Sequence, residues 1–166
     1  MRPLDIGGGA HATHIRKATL ADLPALERVD ALALSAQDRF ERTALRRLLR
    51  SKTDIVIVAV HDGAIAGFAA VSRNSRDCWL KGLAVLPRCR RMGIGRQLVM
   101  SVLRRTERED RAIKLAVRAD NIAAQLLYDG LGFTACGVRE RYYPDGAAGL
   151  MFVAGASVPQ AGNGRQ

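Results

Sequence analysis

The residues best suited to chemistry lie in PRCRRMGIGR (87–96). There Arg88, Arg90, Arg91 and Arg96 surround Gly93 and Gly95, directly after the apolar run CWLKGLAVL. Three roles fit that composition: a clamp on nucleic acid, a cradle for a phosphate, and the solvated start of a helix. A phosphate cradle needs unpaired backbone N–H groups at a helix N-terminus, with glycines that let them approach an anion. The string is neither GxGxxG nor a P-loop ending in GK[ST], so alone it reads equally well as a glycine-rich turn beside surface arginines. Further along, Asn121, Tyr128 and the pair Tyr142–Tyr143 before a PDG turn are the polar and aromatic groups that a site would use. Each also has a plainer reading. Asn121 is a good helix cap, Tyr128 a boundary residue of an amphipathic helix, and one tyrosine of the pair packs while its neighbour faces solvent.

Nucleophile and metal chemistry find little support. Cys78, Cys89 and Cys136 are odd in number and widely spaced, which argues against a disulfide framework and a clustered zinc site and fits a reducing cytoplasm. His11, His14 and His61 are scattered without a carboxylate pair, so no metal is expected. Trp79 reads as strand packing. The formal charge of +10 suits nucleic acid, an acidic protein surface or a phosphorylated cofactor alike. However, Arg104, Arg105, Arg108 and Arg111 are interleaved with Glu107, Glu109 and Asp110, and no aromatic RNP strand, GXXG clamp or zinc finger appears. No specific nucleic-acid partner is expected. Nor is a membrane, since no apolar run approaches spanning length and MRPLDIGGGAHATHIRKA lacks a signal-peptide core.

These groups need elements to position them. At 166 residues and 48% hydrophobic composition, the chain suits one domain over 14–154, between a flexible leader (1–13) and a flexible tail (155–166). HIRKAT (14–19) reads as a strand. Thr19 with Asp22 reads as a capping pair before a helix facing inward through Leu23, Leu26 and Val29. Ser35 with Asp38 repeats that signal before a second helix striped by Phe40, Ala44 and Leu48. Residues 54–60 and 64–71 form a hairpin around a DG turn, and 78–86 is a central strand. A helix starts near Gly93 with Ile94, Leu98, Val102 and Thr106 on one side. Strand 113–119 follows, then a helix marked by Ile122, Leu126 and Leu127 and capped by Asp120 or Asn121, then strands at 134–141 and 149–154. The order β-αα-β-β-β-α-β-α-β-β implies an α/β sheet with both faces covered.

LAVLPRCRRMGIGRQLV (83–99) resembles the acetyl-CoA motif of the GNAT superfamily of N-acetyltransferases: Arg or Gln, two residues, Gly, any residue, then Gly or Ala, met by Arg90, Gly93 and Gly95. LAVRADNIAAQLLYDGLGF (115–133) is similar to its second signature, and RERYYPDG (139–146) resembles a substrate-side segment of the ribosomal-protein alanine and protein N-terminal acetyltransferases. The resemblance implies a mixed, mostly antiparallel α/β sheet splayed between strands 78–86 and 112–118 at the cofactor site. It implies that backbone N–H groups of Arg91, Met92, Gly93, Ile94, Gly95 and Arg96 hold a pyrophosphate, with Arg90 and Arg96 as countercharge. Leu83, Ala84 and Val85 would pair with the pantetheine arm, Asn121 would touch its end, and Tyr128 would aim its hydroxyl at the cofactor sulfur as general acid. Tyr142 or Tyr143 would grip substrate. Asp30 falls near a substrate-facing acidic position of some relatives, although a helix-surface charge explains it too.

Two positions depart from the pattern. Where those relatives read LEVR with a glutamate base, this chain has Ala116, and residues 147–149 read AAG in place of an acidic pair. An α-amine titrates near about pH 8 and a lysine near about 10.4, so at neutral pH roughly a tenth of the former is unprotonated against about one molecule in a few thousand of the latter. Without the glutamate, a protein or peptide N-terminus is the expected acceptor. A polyamine or aminoglycoside-like amine is the alternative, and a degenerate acetyl-CoA-binding regulator is the non-enzyme reading. The expected partners are therefore acetyl-CoA and one such amine, with the protein cytoplasmic and a monomer or homodimer.

Overall fold

The computed structural model describes residues 12–155. Most of the expected leader and tail therefore lies outside the described residues, although the first strand, β1 (Thr13–Lys17), already includes Thr13. After it come α1 (Leu23–Ala33), α2 (Arg42–Arg50), β2 (Ile55–His61), β3 (Ala64–Arg73), β4 (Cys78–Val85), α3 (Ile94–Arg108), β5 (Ile113–Arg118), α4 (Ile122–Gly130), β6 (Thr134–Arg139) and β7 (Gly149–Ala154). Short 3₁₀ turns precede α1 and follow β4.

The strands form one seven-stranded sheet in the order β1-β2-β3-β4-β5-β7-β6, antiparallel at every pairing except β4–β5. β4 lies at its centre, as its apolar sequence predicts. β3 is buried without interruption from Ile65 to Val71, which requires cover on both faces, and α1 and α3 both pack on β3 and β4. α3 contributes Ile94, Leu98, Val99, Val102 and Thr106 to the core, a stripe one side of a helix supplies by its 3.6-residue period.

Two irregularities shape the centre. β4 meets β5 at only two register positions, Cys78 with Ile113 and Trp79 with Lys114, after which the strands diverge. The sheet is splayed there, as the resemblance implies. On its other edge β4 carries a bulge, since Ala70 pairs with Gly82 and Val71 with Leu80, leaving Lys81 extra. A Cβ on Gly82 would lie 2.2 Å from the Phe40 ring, so glycine is what lets the segment between α1 and α2 pack onto the bulge.

Some local expectations are corrected. Ser35 Oγ does bond Asp38 Oδ2 at 2.7 Å, yet the pair closes a turn, and α2 begins only at Arg42. Leu45 and Leu48 are its buried residues; Phe40 precedes the helix, and Ala44 is less buried than Leu45. On α4, Ile122 and Leu126 are exposed, while Tyr128 is buried, because the helix turns another face inward. Thr19 and Asp22 do form the expected pair, the carboxylate accepting the Thr19 N–H at 2.8 Å.

Candidate active site

Divergence of β4 from β5 opens a cleft of about 180 Å³, lined by Leu80–Leu83 on one strand and Leu115–Arg118 on the other. Leu34 and Asp38 close it from the α1–α2 side, Asn121, Ala124 and Tyr128 from α4, and Tyr143 from the β6–β7 segment. Burial along β5 alternates, so Ala116 and Arg118 share the less buried face while Leu115 and Val117 are core. Ala116 places no carboxylate on that face.

A second hollow of about 540 Å³ adjoins it through Ala124, which lines both. Val85, Cys89, Arg90, Arg91, Gly93, Ile94, Gly95 and Arg96 form one wall, and Ala123 and Leu127 of α4 another. Its base is the start of α3. Gly93 caps that helix in the left-handed region (φ 77°), and the first intrahelical bond runs from Gln97 N–H to the Gly93 carbonyl at 3.0 Å. The N–H groups of Ile94, Gly95 and Arg96 therefore have no acceptor within the helix and face outward. Arg91 is also left-handed (φ 63°), which turns the chain sharply just before them. The Arg90 guanidinium donates to the Ala33 carbonyl at 2.9 Å, tying the loop to the end of α1. Met92 is half exposed and does not line the hollow.

These residues fit a pyrophosphate with a pantetheine arm. The helix start would supply donors and positive dipole, the arginines would supply countercharge, and the β4 edge beyond Trp79 has no strand partner on the β5 side. Leu83 lines the cleft and Val85 the adjoining hollow, with Ala84 buried between them.

Asn121, rather than Asp120, caps α4, its Oδ1 accepting the Ala124 N–H at 3.1 Å. Its amide Nδ2 takes no part in that cap, and the residue lines the cleft. Tyr128 is 6% exposed and packs edge-on against Phe133 at 5.4 Å between ring centres. Its hydroxyl makes no hydrogen bond to a described residue, and burial pushes the phenol far above its ordinary pKa, with Tyr143 adding to the effect. The phenol holds its proton throughout the physiological range.

At the far end, Tyr143 lines the cleft with its ring 4.2 Å from the Arg118 Cζ, while Tyr142 packs its ring against Gly149, where a Cβ would lie 2.9 Å away. Asp30 is neither a helix-surface charge nor a cleft residue. It is buried, and its carboxylate accepts the Phe40 N–H. Sequence reasoning singled out neither Arg118 nor Asp38 as a site residue. Arg118 Nε donates to Asp38 Oδ1 at 2.8 Å and its Nη1 to Asp145 Oδ2 at 2.7 Å. The alternation of β5, which puts Arg118 on the face of Ala116, was the available signal. Among the described residues no cluster of His, Cys, Asp and Glu has metal-site geometry, and Cys78 and Cys89 are buried.

Residues 21–133 match the Acetyltransferase (GNAT) family. This chain belongs to it. The GNAT assignment makes the protein an acetyl-CoA-dependent acyltransferase and agrees with the splayed sheet and the helix-start hollow. The N-alpha-acetyltransferase RimI of Mycobacterium tuberculosis is 31% identical over 129 residues, covering 75% of this chain and 80% of that protein. A ribosomal-protein-alanine N-acetyltransferase of Escherichia coli is 37% identical over 84 residues, 50% of this chain and 57% of that one. The crystal structure of the corresponding Escherichia coli enzyme superposes with a TM-score of 0.80 at 26% identity, over 93% of this chain and 99% of that one.

Proposed function

We propose that this GNAT enzyme acetylates the free α-amine of a protein or peptide N-terminus. The observation that carries the reading is that, among the described residues, no uncommitted carboxylate lines the cleft. Ala116 stands where a base is expected, and the one acidic side chain among the described residues lining the cleft, Asp38, is bonded to Arg118 and Ser35. Such a cleft suits an amine that is already partly neutral at physiological pH, which an α-amine is and a lysine is not. The similarity to N-terminal and ribosomal-protein-alanine acetyltransferases supports the same acceptor class.

In this account Leu83–Val85 would hold the pantetheine arm of acetyl-CoA and Gly93–Arg96 its pyrophosphate, leaving the thioester near Tyr128, and the amine would reach it from the side framed by Asp38 and Tyr143. The amine nitrogen attacks the thioester carbonyl, the new C–N bond forms, and the C–S bond breaks. Most of the acceleration comes from holding the two reactants together. Tyr128, kept protonated by its burial, donates a hydrogen bond to the departing sulfur, and the proton lost by the amine completes the thiol. A thiol pKa near about 8.5 makes the thiolate a tolerable leaving group, so this donor assists a departure that is already feasible. Asn121 Nδ2 contacts the pantetheine end. Arg90, held on Ala33, and Arg96 supply countercharge, and the reaction is placed in the cytoplasm.

The test is a panel of acceptors under saturating acetyl-CoA: peptides with a free N-terminus, the same peptides N-terminally blocked but containing lysine, and small polyamines. Turnover confined to the first set is the expected result. Turnover of polyamines alone would move the enzyme to small-molecule chemistry.

A further inference from the structure

Arg118 occupies a place that loop packing alone does not explain. Its guanidinium bonds Asp38, on the segment between α1 and α2, and Asp145, on the segment between β6 and β7, with Tyr143 stacked on its face. One side chain from the splayed edge of β5 thus ties together the two walls at the acceptor end of the cleft. The third nitrogen, Nη2, is enclosed and bonds to no described residue. Enclosed polar groups are seldom left so, and a cationic donor less than most.

We propose that Arg118 selects acceptors bearing a carbonyl next to the reacting amine, Nη2 donating to that oxygen; this rests on the reading of the acceptor as a peptide N-terminus. In a peptide the first carbonyl is one carbon removed from the α-amine. A chain entering between Asp38 and Tyr143 with its amine toward Tyr128 carries that oxygen past the guanidinium. The Tyr143 ring, which lies over the guanidinium, would have to turn for the oxygen to reach Nη2, and the bond formed replaces what the enclosed donor lacks. A polyamine has no oxygen to offer. Asp38 and Asp145 offset the guanidinium charge, so discrimination lies in the hydrogen bond more than in repulsion of a second ammonium. The preference acts on acceptor binding and leaves the helix-start hollow, which Arg118 does not line, untouched.

The experiment compares two small amines, alaninamide and 2-aminobutane, in the wild type and in Arg118→Lys, which keeps the charge and loses the fork. The change in the ratio of their kcat/KM values from wild type to variant cancels amine basicity and general loosening of the loops. The expected result is a fall of about tenfold or more for alaninamide, carried by KM, with a much smaller change for 2-aminobutane. Acetyl-CoA affinity should stay within about twofold, which also reports an intact fold. An equal loss for both amines would overturn the proposal and leave Arg118 as a loop tether. Should Arg118→Lys fail to bind acetyl-CoA, Arg118→Gln decides, since it keeps an uncharged polar side chain and removes Nη2. A selective loss for alaninamide supports the proposal, and an equal loss for both amines contradicts it. If the wild type acetylates no peptide at all, the N-terminal reading fails first; if it does and the ratio is insensitive to both variants, only this inference fails.

Discussion

The buried carboxylate of Asp30 accepts the backbone N–H of Phe40 through both oxygens, at 3.1 and 3.3 Å. Phe40 in turn lies on Gly82 at the β4 bulge, so a residue of α1 fixes the segment that carries Asp38 to the cleft. Asp30→Ala orphans that N–H and should destabilise the fold by about 1–3 kcal/mol. It should also raise the acceptor KM with acetyl-CoA affinity unchanged. Denaturant unfolding and steady-state kinetics together check both halves.

The pH dependence of stability follows from two carboxylates that act in opposite directions. Burial raises Asp30, with the Phe40 N–H and Arg39 opposing. Its contribution is complete below the unfolded aspartate value and is lost as pH rises through the folded one. Asp30→Asn, which keeps an acceptor and removes the charge, should therefore be much less damaging at neutral pH than Asp30→Ala.

Asp22 behaves in reverse. The Arg16 hydrogen bond and the Thr19 N–H, working against its burial, lower its carboxyl to about 2. Its contribution is present above the unfolded value of about 4 and is lost as pH falls through the folded one. Asp22→Asn should cost about 1–2 kcal/mol at pH 7, allowing for the exposed Arg16 partner, and the cost should fall steeply toward about pH 2 and vanish below it. Unfolding curves across the acid range are the measurement.

Gly93 and Gly95 test the helix start. Gly93 is left-handed, so a side chain there strains the cap by about 1–2 kcal/mol, and Gly95→Asp puts a carboxylate where the pyrophosphate is expected. Calorimetry should show acetyl-CoA affinity falling by about tenfold or more for Gly95→Asp, with no comparable loss of thermal stability.

Tyr128→Phe keeps the ring against Phe133 and deletes only the hydroxyl. Turnover should drop by about tenfold or more where chemistry limits the rate, with acetyl-CoA affinity nearly intact. Unchanged turnover would leave positioning as the whole source of acceleration.

The order of elements, the central place of β4 and the glycine-opened helix were legible because each rests on local periodicity or turn chemistry. What was not legible depended on contacts between distant segments. Ser35 and Asp38 carry a capping signature, but the turn they close is set by Asp30 holding Phe40. Ile122, Leu126 and Leu127 mark α4 in the sequence, yet of these only Leu127 turns toward the hollow, with Ala123 and Ala124, and the helix buries Tyr128. The alternation of β5 puts Arg118 on the face of Ala116, but its two carboxylate partners lie 80 and 27 positions away, so its role was not legible from local sequence. The identity of the superfamily came from short motifs, which constrain backbone at the cofactor and say little about loops at the acceptor.

The most direct test of the account is a competition within one molecule. A peptide with a free N-terminal alanine and one internal lysine is incubated with enzyme and acetyl-CoA, and tandem mass spectrometry locates the acetyl group. The account predicts acetylation at the N-terminal amine with the lysine left free; acetyl on the lysine with the N-terminus unmodified would contradict it.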